Sequence, residues 1–400
     1  MLFKPYMELY PNYEEGIFND FDGAQKIATN SYLRDGNILY LMGSTILCKY
    51  DIGDPENPKL LKKTDITKES QSDFIRKGCA HCTSIADLGK YLALSLRDSS
   101  GGVTNMADGA IVGRISILDK ETLEPVRELD FENKVTNITR YKDLLIVSLH
   151  FHGFYIYKLT EDEEILTCLY RHIEIEKPQR TRTREFQNSA VFEKEAGKIN
   201  IAFASYRYCI STYTYDLEKN TVYPCCELSP EAIPHMKDAQ SVEKNKVFGL
   251  AAKGNFVYGG VSPGNHLFRE QYESVDWSRF DQRGIVYGPH DRLLEEHYHL
   301  PLPDADKPKF IGVIAGDPAP SFLCIAKDYL LFNLDCQGLG IAKIEADGRL
   351  TYIGRALEDP CGRQLTYRLH FDGEFLYASY KMPIPDGKNP PLFRIYKMEN

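Results

Sequence analysis

Short β-rich runs separated by Gly, Asn, Asp and Pro recur through this chain at a spacing of about forty to fifty residues, the period of a propeller blade. Amphipathic patterns of helix length are nearly absent, and the 26 Tyr and 20 Phe suit strands. The unit is strand, tight turn, strand, loop, strand. A repetitive all-β unit of 400 residues folds as one domain, so the expectation is a single domain over residues 1–400. The predicted fold is all-β: a seven-bladed β-propeller of four-stranded antiparallel blades.

The first blade reads as Gln25–Thr29, Asn37–Leu41, Ile46–Tyr50 and Lys59–Leu61, and the second as His81–Ala86, Tyr91–Leu96, Gly113–Leu118 and Pro125–Leu129. Thr136–Thr139, Leu144–Leu149, Gly153–Tyr157 and Glu164–Cys168 make the third. Asn188, Val247, Ser321 and Thr366 open the remaining four. The seventh shows only three strands, which would leave an unpaired edge. Phe3–Tyr10 is therefore expected to close the ring as its outer strand. Asp372-Gly373 and Lys253-Gly254-Asn255 supply the positive φ that hairpins need.

Two segments share the form D-x-x-x-P-K-hydrophobic, namely Asp54-Pro-Glu-Asn-Pro58-Lys-Leu and Asp304-Ala-Asp-Lys-Pro308-Lys-Phe. In these the chain resembles the LVIVD-repeat family of propellers, whose repeats carry a strand, an Asp-Pro-x-x-Pro turn and a final strand. The resemblance implies the fold and says little of function.

The net charge of −9 and pI near 5.7 exclude a broad phosphate-binding surface, so no nucleic-acid or acidic-membrane partner is expected. The basic run from Lys177 to Arg184 reads as a solvated loop. The N-terminal Met1-Leu-Phe-Lys-Pro-Tyr lacks a secretory pattern. A cytoplasmic location follows as the expectation, with the ten cysteines mostly reduced and buried as small hydrophobes. Cys79-Ala-His81-Cys82 has no second pair at zinc-finger spacing.

In a four-stranded meander, the loops between strands two and three open on the same face as the links into each next inner strand. That topology pools His81, Gln187, Asn188, Gln240, Arg363 and Gln364 from the links with Arg97, His150, His152, Arg207, His266, Asp335, Gln337 and Lys381 from the loops. Insertions at 97–112 and 262–292 fall on that face and could form lids. The second holds Trp277, His266 and His290. Such a mouth suits a small polar or carbohydrate-like ligand.

His81, His150 and His152 are the candidate acid/base residues and the candidate ligands of a divalent metal, since residues two apart on an extended segment point the same way. The other residues of the mouth would bind substrate. His297-Tyr-His299 has the same spacing but belongs to the predicted third strand of the fifth blade, away from the axis. No Ser-His-Asp order, phosphate loop or dinucleotide fingerprint is present. Two functions are carried forward. One is an enzyme or enzyme-like binder using acid/base or metal-assisted lyase or hydrolase chemistry in the axial pocket. The other is a non-catalytic protein-interaction scaffold.

Overall fold

A computed structural model describes residues 3–9, 11, 29, 31–43, 45–66, 80–98, 111–150, 152–161, 164–173, 186–205, 209–228, 245–263, 284–293, 298–301, 322–334, 338–357, 364–381 and 392–399. Among these, 28 strands form seven four-stranded antiparallel sheets. β1 (Phe3–Leu9) stands apart from the strands that follow it in sequence. Blade 1 is β2 (Ser31–Asp35), β3 (Ile38–Gly43), β4 (Ile46–Asp51) and β5 (Lys59–Asp65). Blade 2 is β6 (Ala80–Asp87), β7 (Tyr91–Asp98), β8 (Gly113–Asp119) and β9 (Pro125–Phe131). Blade 3 is β10 (Asn137–Tyr141), β11 (Leu144–Leu149), β12 (Gly153–Leu159) and β13 (Leu166–Ile173). Blade 4 is β14 (Ser189–Glu195), β15 (Lys198–Ser205), β16 (Cys209–Asp216) and β17 (Thr221–Leu228). Blade 5 is β18 (Asn245–Lys253), β19 (Phe256–Pro263), β20 (Gly284–Pro289) and β21 (Tyr298–Pro301). Blade 6 is β22 (Leu323–Ala326), β23 (Tyr329–Asn333), β24 (Leu339–Ile344) and β25 (Leu350–Leu357). Blade 7 is β26 (Gln364–Phe371), β27 (Phe375–Lys381) and β28 (Leu392–Met398), completed by β1.

Sequence pattern and burial agree within each blade. Leu144–Leu149 is buried at every position, because the middle strands are covered on both sides by neighbouring blades. Pro125–Phe131, on the outside, shows mostly exposed and half-buried positions. The core follows from this. It consists of seven apolar slabs, one between each pair of adjacent blades, rather than one central cluster.

The ring closes as expected from the strand count. β1 runs antiparallel to β28, from Phe3 opposite Met398 to Leu9 opposite Phe393. Phe3 packs into the slab shared with blade 6, while Met7 and Leu9 pack into the slab shared with blade 1. A polar clamp crosses the same seam. Arg34 pairs with Asp372 at 3.0 Å and donates to the Tyr377 hydroxyl, which itself donates to Asp372 at 2.6 Å. The Tyr32 hydroxyl donates to the Tyr377 carbonyl at 3.1 Å.

Four expectations need correction. The inner strand of blade 1 is Ser31–Asp35, running directly into the Asp35-Gly36 turn, and Gln25–Lys26–Ile27–Ala28 lies outside the described residues. Arg97 and Asp98 belong to β7, so the first insertion begins after them. The second stops before Gly284, because Gly284–Pro289 is the third strand of blade 5 and His299 sits on the fourth, opposite Val286. His290 therefore lies at the opposite end of the blade from the insertion, with its N–H donating to the Asn255 carbonyl at 2.8 Å.

The two D-x-x-x-P-K copies also differ in place. The first is a compact turn between β4 and β5, where Asp54 Oδ1 accepts from the Glu56 N–H at 3.0 Å. The second falls in the stretch between β21 and β22, which lies outside the described residues. One copy is inside a blade and the other is between blades.

Candidate functional site

At the start of β6 and the end of β7, His81 stands opposite Arg97 in the ladder. His81 is 6% exposed. Burial, reinforced by the Arg97 guanidinium, pushes its imidazole down to about 3. His150 follows β11 and is bridged to Phe186, whose N–H donates to the His150 carbonyl at 2.6 Å. It too is driven down to about 3, by burial first and then by Arg97, Lys134 and His152. The structure thus gathers His81, Arg97 and His150 at the junction of blades 2 and 3.

Their surroundings bear on the roles expected of them. Burial lowers both imidazoles and so favours their neutral forms. His150 and His152 do not lie together on one extended strand. β11 ends at Leu149 and β12 begins at Gly153, His150 has φ of 35°, and the His152 N–H closes the turn onto the Leu149 carbonyl at 2.7 Å. The alternation that would aim both rings to one side is broken there. His152 is exposed while His150 is mostly covered. Among the described residues no group of three or more His, Cys, Asp or Glu is arranged to hold a metal ion, and the three histidines are among those described.

The other expected residues divide cleanly. Gln187 and Asn188 extend the blade 4 ladder, with the Gln187 N–H donating to the Ala204 carbonyl at 3.0 Å and the Asn188 carbonyl accepting from the Ala204 N–H at 2.9 Å. Gln364 and Lys381 face each other across β26 and β27. Arg207, Gln240, His266, Asp335, Gln337 and Arg363, like Trp277, lie outside the described residues.

Along the axis is a cavity of about 430 Å³ that takes at least one residue from every inner strand, including Leu33, Ile85, Thr139, Ser189, Leu250, Leu323 and Leu369. Its walls are unequal. Blades 3 and 4 contribute a polar patch in which Asn137 Nδ2 and Ser189 Oγ both donate to Thr139 Oγ1 at 2.8 Å, and Asn188 lies beside them. Blades 1, 5, 6 and 7 contribute mainly Leu and Phe. Sequence reasoning missed Asn137, Thr139 and Ser189. The signal was the alternation of polar side chains in Asn137-Ile-Thr139, where an inner strand shows one face to the axis.

A second surface lies on the outside of the ring. Six outer strands carry a β-bulge near the end of the third strand, and the inserted residues are Leu61, Val126, Leu169, Cys225, Ile353 and Tyr6. A bulge at a sheet edge twists it and discourages unwanted pairing. Here it also points an apolar side chain outward. Ile353 is 52% exposed, Tyr6 40%, Leu61 52% and Val126 48%. They come from blades 6, 7, 1 and 2, which are consecutive around the closed ring.

No protein-family model matches the chain, and no curated protein matches it. Solved structures do. The chain is similar to Sqt1 of Saccharomyces cerevisiae, with 8% identity over 100% of both chains and a TM-score of 0.56. It is similar to the RRP9 WD40 repeats, with 10% identity, 99% of each chain covered and a TM-score of 0.55. A chain in the mitotic checkpoint complex matches at 11% identity, covering 99% of this chain and 95% of that one, with a TM-score of 0.53. At such identities the likeness shows the fold alone: a seven-bladed propeller.

Proposed function

We propose that this chain is a non-catalytic protein-interaction scaffold whose docking surface is the rim arc of blades 6, 7, 1 and 2. The observation that carries the reading is the repeated outer-strand bulge, which sets an exposed apolar side chain on each of these four consecutive blades. Exposed apolar side chains also stand on the outer strands of blades 3 and 4, at Ile173 and Tyr223, so the arc is distinguished by carrying its exposed side chains at the bulges themselves. Leu60, 50% exposed beside Leu61, adds to the arc. The similar chain from the mitotic checkpoint complex belongs to an assembly, which agrees with this use of the fold.

The axial pocket supports a second reading, as a binding site for a small polar or carbohydrate-like molecule. Its support is the polar patch of Asn137, Thr139 and Ser189 facing a cavity of about 430 Å³.

The test separates the two. Leu61→Glu/Ile353→Glu and Asn137→Ala/Ser189→Ala proteins are used as bait in cell extract beside the unaltered chain. The scaffold reading expects a defined set of proteins to be lost from the rim variant and retained by the axial variant. Retention by both variants, or loss from the axial variant alone, overturns it.

A further inference from the structure

Among the described residues lining the axial cavity, Asp87 and Arg140 alone carry charge, and both stand near the ends of their inner strands, β6 and β10. The Asp87 carboxylate pairs with the Lys120 ammonium at 2.9 Å and accepts from the Gly89 N–H at 2.8 Å. Arg140 donates through Nε to the Lys142 carbonyl at 3.0 Å and through Nη1 to the Asp87 carbonyl at 2.7 Å, with Asp87 Oδ1 3.8 Å away. The two charges are thus engaged with partners of the chain's own. A charged ligand would enter without a counter-charge, so the wall suits a neutral one.

Hydrogen-bonding capacity is restricted as well. Thr139 Oγ1 accepts from Asn137 Nδ2 and from Ser189 Oγ, both at 2.8 Å, and donates to the Ser189 carbonyl at 3.4 Å. Its one hydrogen and two lone pairs are thereby engaged. Ser189 gives its only hydroxyl hydrogen to Thr139, so to anything in the cavity it can only accept. Asn137 Nδ2 approaches the same oxygen at 3.5 Å, which leaves it a further lone pair. The rest of the wall differs in kind. Leu33, Leu250 and Phe322 each pack against a slab between blades yet stay half-buried. Water lying against such a concave apolar wall is displaced favourably by an apolar body.

We infer that the axial cavity takes a neutral amphipathic molecule, a compact apolar body with one O–H or N–H edge, the edge donating to Ser189 Oγ and the body resting on Leu33, Leu250 and Phe322. The inference rests on the axial-pocket reading and narrows its ligand. A sugar carries hydroxyls around its whole circumference, and most of them would face Leu or Phe without a partner. A phenol or an aryl alcohol has its donor on one edge. That matches a wall that is polar on blades 3 and 4 and apolar on blades 1, 5 and 6. The volume agrees, since about 430 Å³ is toward the lower end of small-molecule sites.

Equilibrium dialysis of the full chain against naphthol, its methyl ether and glucose tests this. Naphthol and the ether share an apolar body, but only naphthol can donate. We expect naphthol to bind about three- to tenfold more tightly than the ether, the contribution of one hydrogen bond, and glucose not to be retained. Ser189→Ala should bring naphthol down to the affinity of the ether and leave the ether's own binding unchanged, which also shows that the variant is folded. Equal affinities for naphthol and the ether would overturn the inference, as would a Ser189→Ala protein that binds naphthol as tightly as the unaltered chain does. Glucose retained by the unaltered chain and lost from Asn137→Ala/Ser189→Ala, with neither naphthol nor the ether bound, would overturn the inference and leave the axial-pocket reading standing. Retention of none of the three would overturn both.

Discussion

The mouth of the ring and its rim are built from the same repeats but obey opposite rules. At the mouth, polar side chains are drawn into the structure: His81 is almost covered, and burial keeps it and His150 neutral. On the rim, apolar side chains are pushed outward by bulges, as at Leu61 and Ile353. Each departs from what burial alone would choose. A sequence rich in His and Arg near one face therefore need not carry its chemistry there, and the unusual exposure lies at the edge.

Removing β1 by deleting residues 1–10 is the most severe way to break the contrast. It takes Phe3, Met7 and Leu9 out of two slabs, at about 1.5–3 kcal/mol for each buried side chain, and it opens an edge on β28. We expect a large drop in the denaturation midpoint with loss of a single cooperative transition. An unchanged urea curve would show that the closure contributes nothing.

A smaller effect is expected at the centre of a slab. Leu145→Ala, at a fully buried position between blades 2 and 3, should lower stability by about 2–5 kcal/mol in equilibrium denaturation. The mouth responds to acid. His81 and His150 are depressed in the folded chain relative to about 6.5 when unfolded, so the unfolded state binds more protons between about pH 6.5 and 3. Stability is full above that window and falls as pH drops through it, by up to about 1.4 kcal/mol per pH unit for each buried proton. His81→Gln should flatten the slope of stability against pH. A slope unchanged in that variant would mean that His81 titrates normally.

The rim should be the most permissive place for folding. Leu61→Glu is expected to change stability by no more than about 0.5 kcal/mol, because the side chain is already in water. A large loss there would turn Leu61 into a packing residue and remove the contrast with the mouth.

Much of this architecture was legible before any coordinates. The strand runs gave seven blades, and the missing fourth strand of blade 7 pointed to Phe3–Leu9, because an open edge needs a partner. Gly254 and Gly373 do adopt positive φ, at 55° and 108°. Position along strands was harder. Gln25–Thr29 looks as β-like as Ser31–Asp35, and only the tight Asp35-Gly36 turn selects the second run, since the inner strand must lead straight into it. His150-Phe-His152 misled for a related reason: spacing gives direction only on an extended chain, and this one turns. Bulges were invisible, because Leu61 and Val126 differ from their neighbours by register and not by type. The D-x-x-x-P-K copies illustrate the limit of a short motif, for its two places in the ring are not equivalent.

Cross-linking mass spectrometry on the chain recovered with its bound proteins tests the scaffold account most directly. Partner cross-links should concentrate on the rim lysines Lys4 of β1 and Lys59 and Lys62 of β5, beside Tyr6 and Leu61. Links confined to Lys134 beside His150, with none on Lys4, Lys59 or Lys62, would place the working surface at the mouth and contradict it.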